Sequence, residues 1–236
     1  MFSAIKPYIE LCRISNLPTV WTNVLAAIVL SSAGFQGTNF LLLLLSMSLL
    51  YSGGMCLNDI YDEQADRIKR PLRPIPSGRV SLKDARSLTV GLFLTALALF
   101  YIVPYPKAIF VAILLLMLII IYDKYHKVHR LSLVLMAACR FMVFAVASIA
   151  VTGEAGFLVI AAGLIQSIYT LSISIVARHE NRFKKPFPFP AVPAMIAGMS
   201  LIDGVIMAYF VSPAWIAAGI GGTLLTMFGQ RYIRGD

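Results

Sequence analysis

Eight apolar stretches, at 15–33, 38–60, 86–104, 106–123, 132–151, 157–178, 191–211 and 213–230, take up most of the chain. Each is long enough to cross the hydrocarbon core of a bilayer as a helix. In lipid every backbone N–H and C=O must be paired inside the structure, which a helix does within one segment. The pattern therefore predicts an all-α, polytopic membrane bundle of about eight transmembrane helices in one domain over 1–236. With 59% apolar residues and a mean hydropathy of +0.82, no soluble domain of useful size is left over.

The basic residues sort themselves by loop. Lys6 and Arg13 precede the first stretch, and further groups lie at 67–86, 124–130, 178–185 and 231–234. With eight spans and both termini inside, all of these fall on one side, and only Lys107 falls on the other. The positive-inside rule then places the termini and the long loops in the cytoplasm. The net charge of +9 is met by anionic lipid and an anionic substrate, so it needs no nucleic acid, and no obligate protein partner is evident. Residues 2–14 read as a short interfacial helix rather than a cleaved signal peptide. Outer connections are short and inner ones long, so hairpins of neighbouring helices are expected, with the polar chemistry gathered at the cytoplasmic mouth of a central cavity. Cys12, Cys56 and Cys139 are scattered, without a paired motif, and read as buried helix residues.

The polar exception is the run Asn58-Asp59-Ile60-Tyr61-Asp62-Glu63-Gln64-Ala65-Asp66. On a helix at ~100° per residue, Asp59, Asp62 and Asp66 share an arc of roughly 60°. Carboxylates crowded on one face repel each other unless a cation sits among them, and carboxylate oxygens suit Mg²⁺. Behind them come Arg70, Arg73 and Arg79, in a loop stiffened by Pro71, Pro74 and Pro76. Basic groups so placed would neutralise the rest of a phosphate charge; a solvated loop with local ion pairs is the plainer alternative.

The spacing Asn58-Asp59-x-x-Asp62-x-x-x-Asp66, followed by Arg70-Pro71-x-Arg73-Pro74-x-x-x-Gly78, resembles the first aspartate-rich motif of the UbiA-type intramembrane prenyltransferases. The stretch Arg13-Ile14-Ser15-Asn16-Leu17-Pro18-Thr19-Val20-Trp21-Thr22-Asn23 is similar to that family's first-helix signature. The likeness extends more weakly through Tyr122-Asp123-Lys124-Tyr125-His126-Lys127 and beyond. It implies a helical membrane fold in which Mg²⁺ clamps a prenyl diphosphate and the prenyl group passes to an acceptor, often aromatic. Asp59, Asp62 and Asp66, led by Asn58, would hold the metal. The family usually has nine spans and further aspartates after the sixth. This chain has Ser174-Ile175-Val176-Ala177-Arg178-His179-Glu180-Asn181-Arg182 there, with Glu180 as the lone acid. That departure matches divergent members such as the EboC type, and it leaves a second metal and full catalytic competence open.

Other residues are expected at the same mouth. Lys124, His126 and Lys127 suit diphosphate binding and equally suit positive-inside anchoring. Tyr122 is a candidate hydrogen-bond donor to substrate, and Arg178 a candidate replacement for the charge of a second metal. Arg140 and Asp203 lie within spans, where each would cost at least ~2.5 kcal/mol against lipid. They are expected to face the cavity, as an ion pair or as acceptor-binding groups, with Asn23 beside them. Prenyl transfer is the leading reading. A non-catalytic prenyl-diphosphate or lipid-binding protein and, further off, a cation-coupled transporter are the alternatives.

Overall fold

A computed structural model describes residues 2–31, 35, 37–126, 132–183 and 190–233. These residues form nine α-helices, two 3₁₀ turns (Ile14–Asn16 and Pro213–Trp215) and no strand: α1 Phe2–Leu11, α2 Leu17–Leu30, α3 Gly37–Lys69, α4 Leu82–Leu99, α5 Ala108–Tyr125, α6 Ser132–Thr152, α7 Phe157–Phe183, α8 Ala191–Phe210 and α9 Ile216–Tyr232. Helix α1 covers the short segment expected ahead of the first apolar stretch, and α2 to α9 overlap the eight stretches in order. Five of them, α3 and α5 to α8, are long and apolar enough by themselves to cross a membrane. Helices α2 and α9 are shorter, and α4 opens on Lys83, Asp84 and Arg86.

Apolarity and helix do not end together. Helix α3 runs nine residues past the expected boundary at 60, because Glu63, Gln64, Ala65 and Arg67 are good helix formers and nothing breaks the pattern before Pro71. The acidic run is thereby held on continuous helix, about two turns beyond the apolar stretch. Helix α4 starts earlier than expected, where Ser81 accepts the Asp84 N–H at 3.0 Å as an N-cap.

Helix α2 is the centre of the bundle. Eleven of its fourteen residues are buried, and it packs against α3, α6, α7, α8 and α9. The others surround it, turning Leu114, Met117 and Ile121 of α5, Leu164 and Ile168 of α7, and Leu224 and Phe228 of α9 outward. Such an apolar exterior fits lipid, not water. Helices α6 and α7 form a close pair across a turn at Gly153, whose φ is 82°. Helices α8 and α9 touch backbone to backbone, since a Cβ on Gly204 would lie 2.6 Å from the Gly219 Cα. The hairpin expectation fails for α4 and α5. They meet only slightly, and α4 packs on α3 while α5 packs on α6. Pro104 and Pro106 in their connection hold the two helices apart.

The core (Ile28, Leu43, Met47, Leu50, Phe100 and Phe144 among its largest members) fills the bundle away from the acidic run. A smaller cluster of Leu11, Cys12, Cys56, Ile75, Val80 and Ala85 pins the proline-rich loop against α1 and α3. Between the two lies a cavity of about 460 Å³, walled by α2, α3, α5, α6, α7 and α8.

Candidate functional site

The loop after α3 is built to hold an arginine. It closes on itself through Arg73 N to Arg70 O at 3.0 Å, Ser77 N to Arg73 O at 3.0 Å and Val80 N to Pro74 O at 3.1 Å. Gly78 takes the φ of 73° that the turn requires. Arg79 ties the loop to Glu10 of α1 at 2.6 Å. Arg73 Nη1 then reaches Asp66 Oδ2 at 2.7 Å and Asp59 Oδ1 at 3.1 Å. Arg13 Nη2 reaches the same Asp59 oxygen at 3.1 Å from the other side. Arg13 holds a left-handed backbone, φ 47° and ψ 48°, at the reversal between α1 and α2. A side chain there costs about 1–2 kcal/mol, and the reversal turns its guanidinium toward α3.

The acids therefore divide into two groups. Asp59 and Asp66 are buried and compensated by arginines. Asp62 faces the cavity with Asn58 and with Asp123 at the end of α5. Asn58 Nδ2 donates to Asp123 Oδ1 at 3.0 Å. Asp123 is 3% exposed, and its Oδ2 is buried without a hydrogen-bond partner among the described residues. His126, just past α5, has Nε2 3.3 Å from Asp62 Oδ1 and Nδ1 2.9 Å from the Asp123 carbonyl oxygen. Its bond to the Asp62 carboxylate lifts His126 above the ordinary histidine range, against the opposing effect of burial.

Among the described residues no three His, Cys, Asp or Glu side chains stand close enough together to hold a metal ion. Asn58, Asp62 and Asp123 offer carboxylate and amide oxygens, the set a hard cation such as Mg²⁺ takes, with the His126 imidazole beside them. The unpartnered Asp123 oxygen is a buried anion of the kind a cation satisfies. In chemical type the residues fit Mg²⁺; in this arrangement Arg13 and Arg73 supply the compensating charge instead.

The remaining candidates scatter by depth. Arg70, Arg73 and Arg178 line the cavity, and Arg178 Nη2 donates to Ser132 Oγ at 3.0 Å. Tyr122 also lines it, stacked on His126 with ring centroids 5.4 Å apart. Lys124 is exposed and sits over the Tyr125 ring at 5.2 Å, away from the cavity. Glu180 is half-buried and does not line it. Lys127 lies outside the described residues. Deeper in, Arg140 and Asp203 are not in direct contact: Asn23 stands between them, accepting from Arg140 Nη1 at 2.7 Å and donating to Asp203 Oδ2 at 2.6 Å. Arg13 and Asp123 were not singled out from sequence. Their signals were there, Arg13 as the residue opening the first-helix signature and Asp123 as an acid closing a span.

Comparison with known proteins settles the lineage. The model of the UbiA prenyltransferase family matches residues 18–232. The chain belongs to this family. Digeranylgeranylglyceryl phosphate synthases are among its relatives: that of Saccharolobus solfataricus is 35% identical over 97 residues (41% of this chain, 34% of the relative), and that of Sulfolobus acidocaldarius 31% over 134 residues (56% and 46%). The matches thus span between a third and a half of those relatives. Among solved structures, one of a digeranylgeranylglyceryl phosphate synthase aligns with a TM-score of 0.66 at 18% identity, covering 97% of this chain and 94% of that one. A UbiA homologue from Archaeoglobus fulgidus bound to GPP and Mg²⁺ aligns with a TM-score of 0.63 at 16% identity, covering 93% and 86%. These likenesses establish a polytopic UbiA-type fold.

Proposed function

We propose that this UbiA-family chain transfers a prenyl group from a prenyl diphosphate to an acceptor within the membrane, with Mg²⁺ at the mouth of the cavity. One observation carries the reading. A single cavity of about 460 Å³ joins a charged mouth (Asn58, Asp62, Asp123, Arg70, Arg73 and Arg178) to an apolar interior. A prenyl diphosphate is built the same way, with a dense anion on an apolar tail. The A. fulgidus homologue bound to GPP and Mg²⁺, and the synthase names of the relatives, support it. The charge of the loops supports a mouth that opens to the cytoplasm.

Asp62, Asn58 and Asp123, with Asp59 and Asp66 behind them, would hold Mg²⁺. When bound, the ion draws charge from the diphosphate and makes it a better leaving group. Arg70, Arg73 and Arg178 bind the phosphate oxygens and keep the departing pyrophosphate paired. The apolar wall (Met47, Leu50, Leu115 and Ile119) holds the tail and excludes water from the allylic carbon. Tyr51 and Tyr122 offer aromatic surface to the positive charge that develops there. The acceptor's nucleophile forms the new bond to that carbon as the carbon–oxygen bond breaks. No protein nucleophile is needed.

Replacing Asp59 and Asp62 by Ala is expected to abolish Mg²⁺-dependent release of pyrophosphate from a labelled prenyl diphosphate; transfer that survives in the double variant defeats the reading. A second reading, binding without turnover, is favoured by the end of α7, whose Glu180 lies off the cavity. Tight diphosphate binding with no pyrophosphate released, over a panel of acceptors, would select it.

A further inference from the structure

Below the charged mouth the cavity has a second polar pole. Arg140 lies eight residues into α6, or ~12 Å along the helix at 1.5 Å per residue. It lines the cavity and is partly exposed to it. A guanidinium has five N–H donors. Here one nitrogen meets an oxygen, Asn23 Oδ1 at 2.7 Å, and another meets only the Met199 thioether at 3.6 Å. Nε has no hydrogen-bond partner among the described residues and is not buried, so at least this donor is accessible.

The acid that balances this charge is fully occupied. Asp203 is 0% exposed, and its two oxygens accept from Asn23 Nδ2 at 2.6 Å and Gln166 Nε2 at 2.7 Å. Gln166 is itself fixed by a bond to the Met199 carbonyl at 2.7 Å. The Asn23 amide therefore has one possible orientation, with oxygen toward Arg140 and nitrogen toward Asp203. A direct ion pair would consume the donors of the arginine. The amide between them keeps the pair close enough to share charge across the bundle while taking only Nη1 of Arg140, leaving Nη2 on a weak thioether acceptor and Nε without a partner among the described residues. A cation held this way in a low-dielectric cavity attracts oxyanions strongly.

We infer that Arg140, held by Asn23 and Asp203, is an oxyanion site at the inner end of the cavity, and that it selects acceptors carrying a carboxylate or phosphate remote from their nucleophile. The inference takes the word acceptor from the prenyl-transfer reading, but the site binds an oxyanion whether or not transfer occurs. Arg140 thus acts on the acceptor and not on the diphosphate, which is met by the arginines of the mouth.

The test uses matched pairs of small ligands and the full chain in detergent. One pair is a hydroxybenzoate and its amide; the other is a 1-O-alkylglycerol 3-phosphate and the 1-O-alkylglycerol. Binding is read by calorimetry, in the presence of a non-hydrolysable prenyl diphosphate analogue and Mg²⁺. The wild-type protein is expected to prefer the anion in at least one pair by about tenfold or more, the scale of a charge-assisted hydrogen bond, and the preferred pair tells a carboxylate from a phosphate. Arg140→Gln should remove the preference while leaving the neutral ligand and the analogue within about twofold, with Arg140→Lys intermediate. Absence of any preference, or a preference that survives Arg140→Gln, overturns the inference. So does a parallel loss of analogue binding and melting temperature in both variants, which marks Arg140 as structural. Failure of transfer with the anion preference intact instead overturns the catalytic reading alone.

Discussion

Arg73 holds two acids with one nitrogen, Asp66 at 2.7 Å and Asp59 at 3.1 Å. Both acids are buried, so removing the shared cation leaves Asp66 uncompensated and Asp59 with Arg13 alone. Arg73→Ala is expected to lower stability by about 2–4 kcal/mol at neutral pH, below the full cost of breaking a buried pair because the mouth admits water. Millimolar Mg²⁺ should restore more of the melting temperature in the variant than in the wild type, since it then meets vacated carboxylates. An equal shift in the two would count against metal binding here. Asp123 predicts the opposite sign. Its buried Oδ2 has no partner, so Asp123→Asn removes a desolvated charge and should leave stability unchanged or raise it by about 1 kcal/mol. The same change is expected to weaken Mg²⁺-dependent binding of a prenyl diphosphate analogue about tenfold. A loss of stability together with unchanged binding would show that Asp123 serves only to orient Asn58.

At the scale of elements, the closest crossing is α8 on α9, where Gly204 and Gly219 leave no room for a Cβ. Gly219→Val should push the helices apart at a cost of about 1–3 kcal/mol, read by denaturation in detergent. Gly221, with open space around it, should tolerate Ala and gain about 0.5–1 kcal/mol from helix propensity. If both substitutions behaved alike, close packing would not be what fixes this pair. The helices themselves were legible in sequence because apolar length is a direct demand of the bilayer. Their ends were less so. The end of α3 is set by Pro71, not by the loss of apolarity, and reading hydropathy alone stopped it nine residues short. The site was legible where its residues sit on one helix, as Asn58, Asp59, Asp62 and Asp66 do. What stayed hidden depends on contacts between helices. The division of those acids between Arg73 and the cavity depends on how the loop folds back on α3, while the Asn58–Asp123 bond and the amide between Arg140 and Asp203 join residues 65 to 180 positions apart, and no local pattern encodes such pairings.

For the whole molecule, many large apolar side chains are exposed and the basic residues gather in alternate loops, an asymmetry from which the positive-inside rule predicts that those loops face the cytoplasm. An impermeant maleimide should label Ser77→Cys only from the cytoplasmic side and Ser212→Cys only from the opposite side. Both positions labelling from one side would refute the eight-span arrangement. The native thiols bear on any such experiment. Cys12 and Cys56 are buried and free, yet their Sγ atoms lie 3.5 Å apart, 44 positions apart in sequence. Cys12 adjoins Arg13, and Cys56 comes one turn before Asp59. An oxidant that removes one hydrogen from each sulfur would staple the N-terminal segment to α3 and fix the guanidinium that holds Asp59. The handling history of a preparation would then be written into its covalent structure and visible as a mobility shift on a non-reducing gel. Metal affinities measured with and without reductant would describe two different molecules.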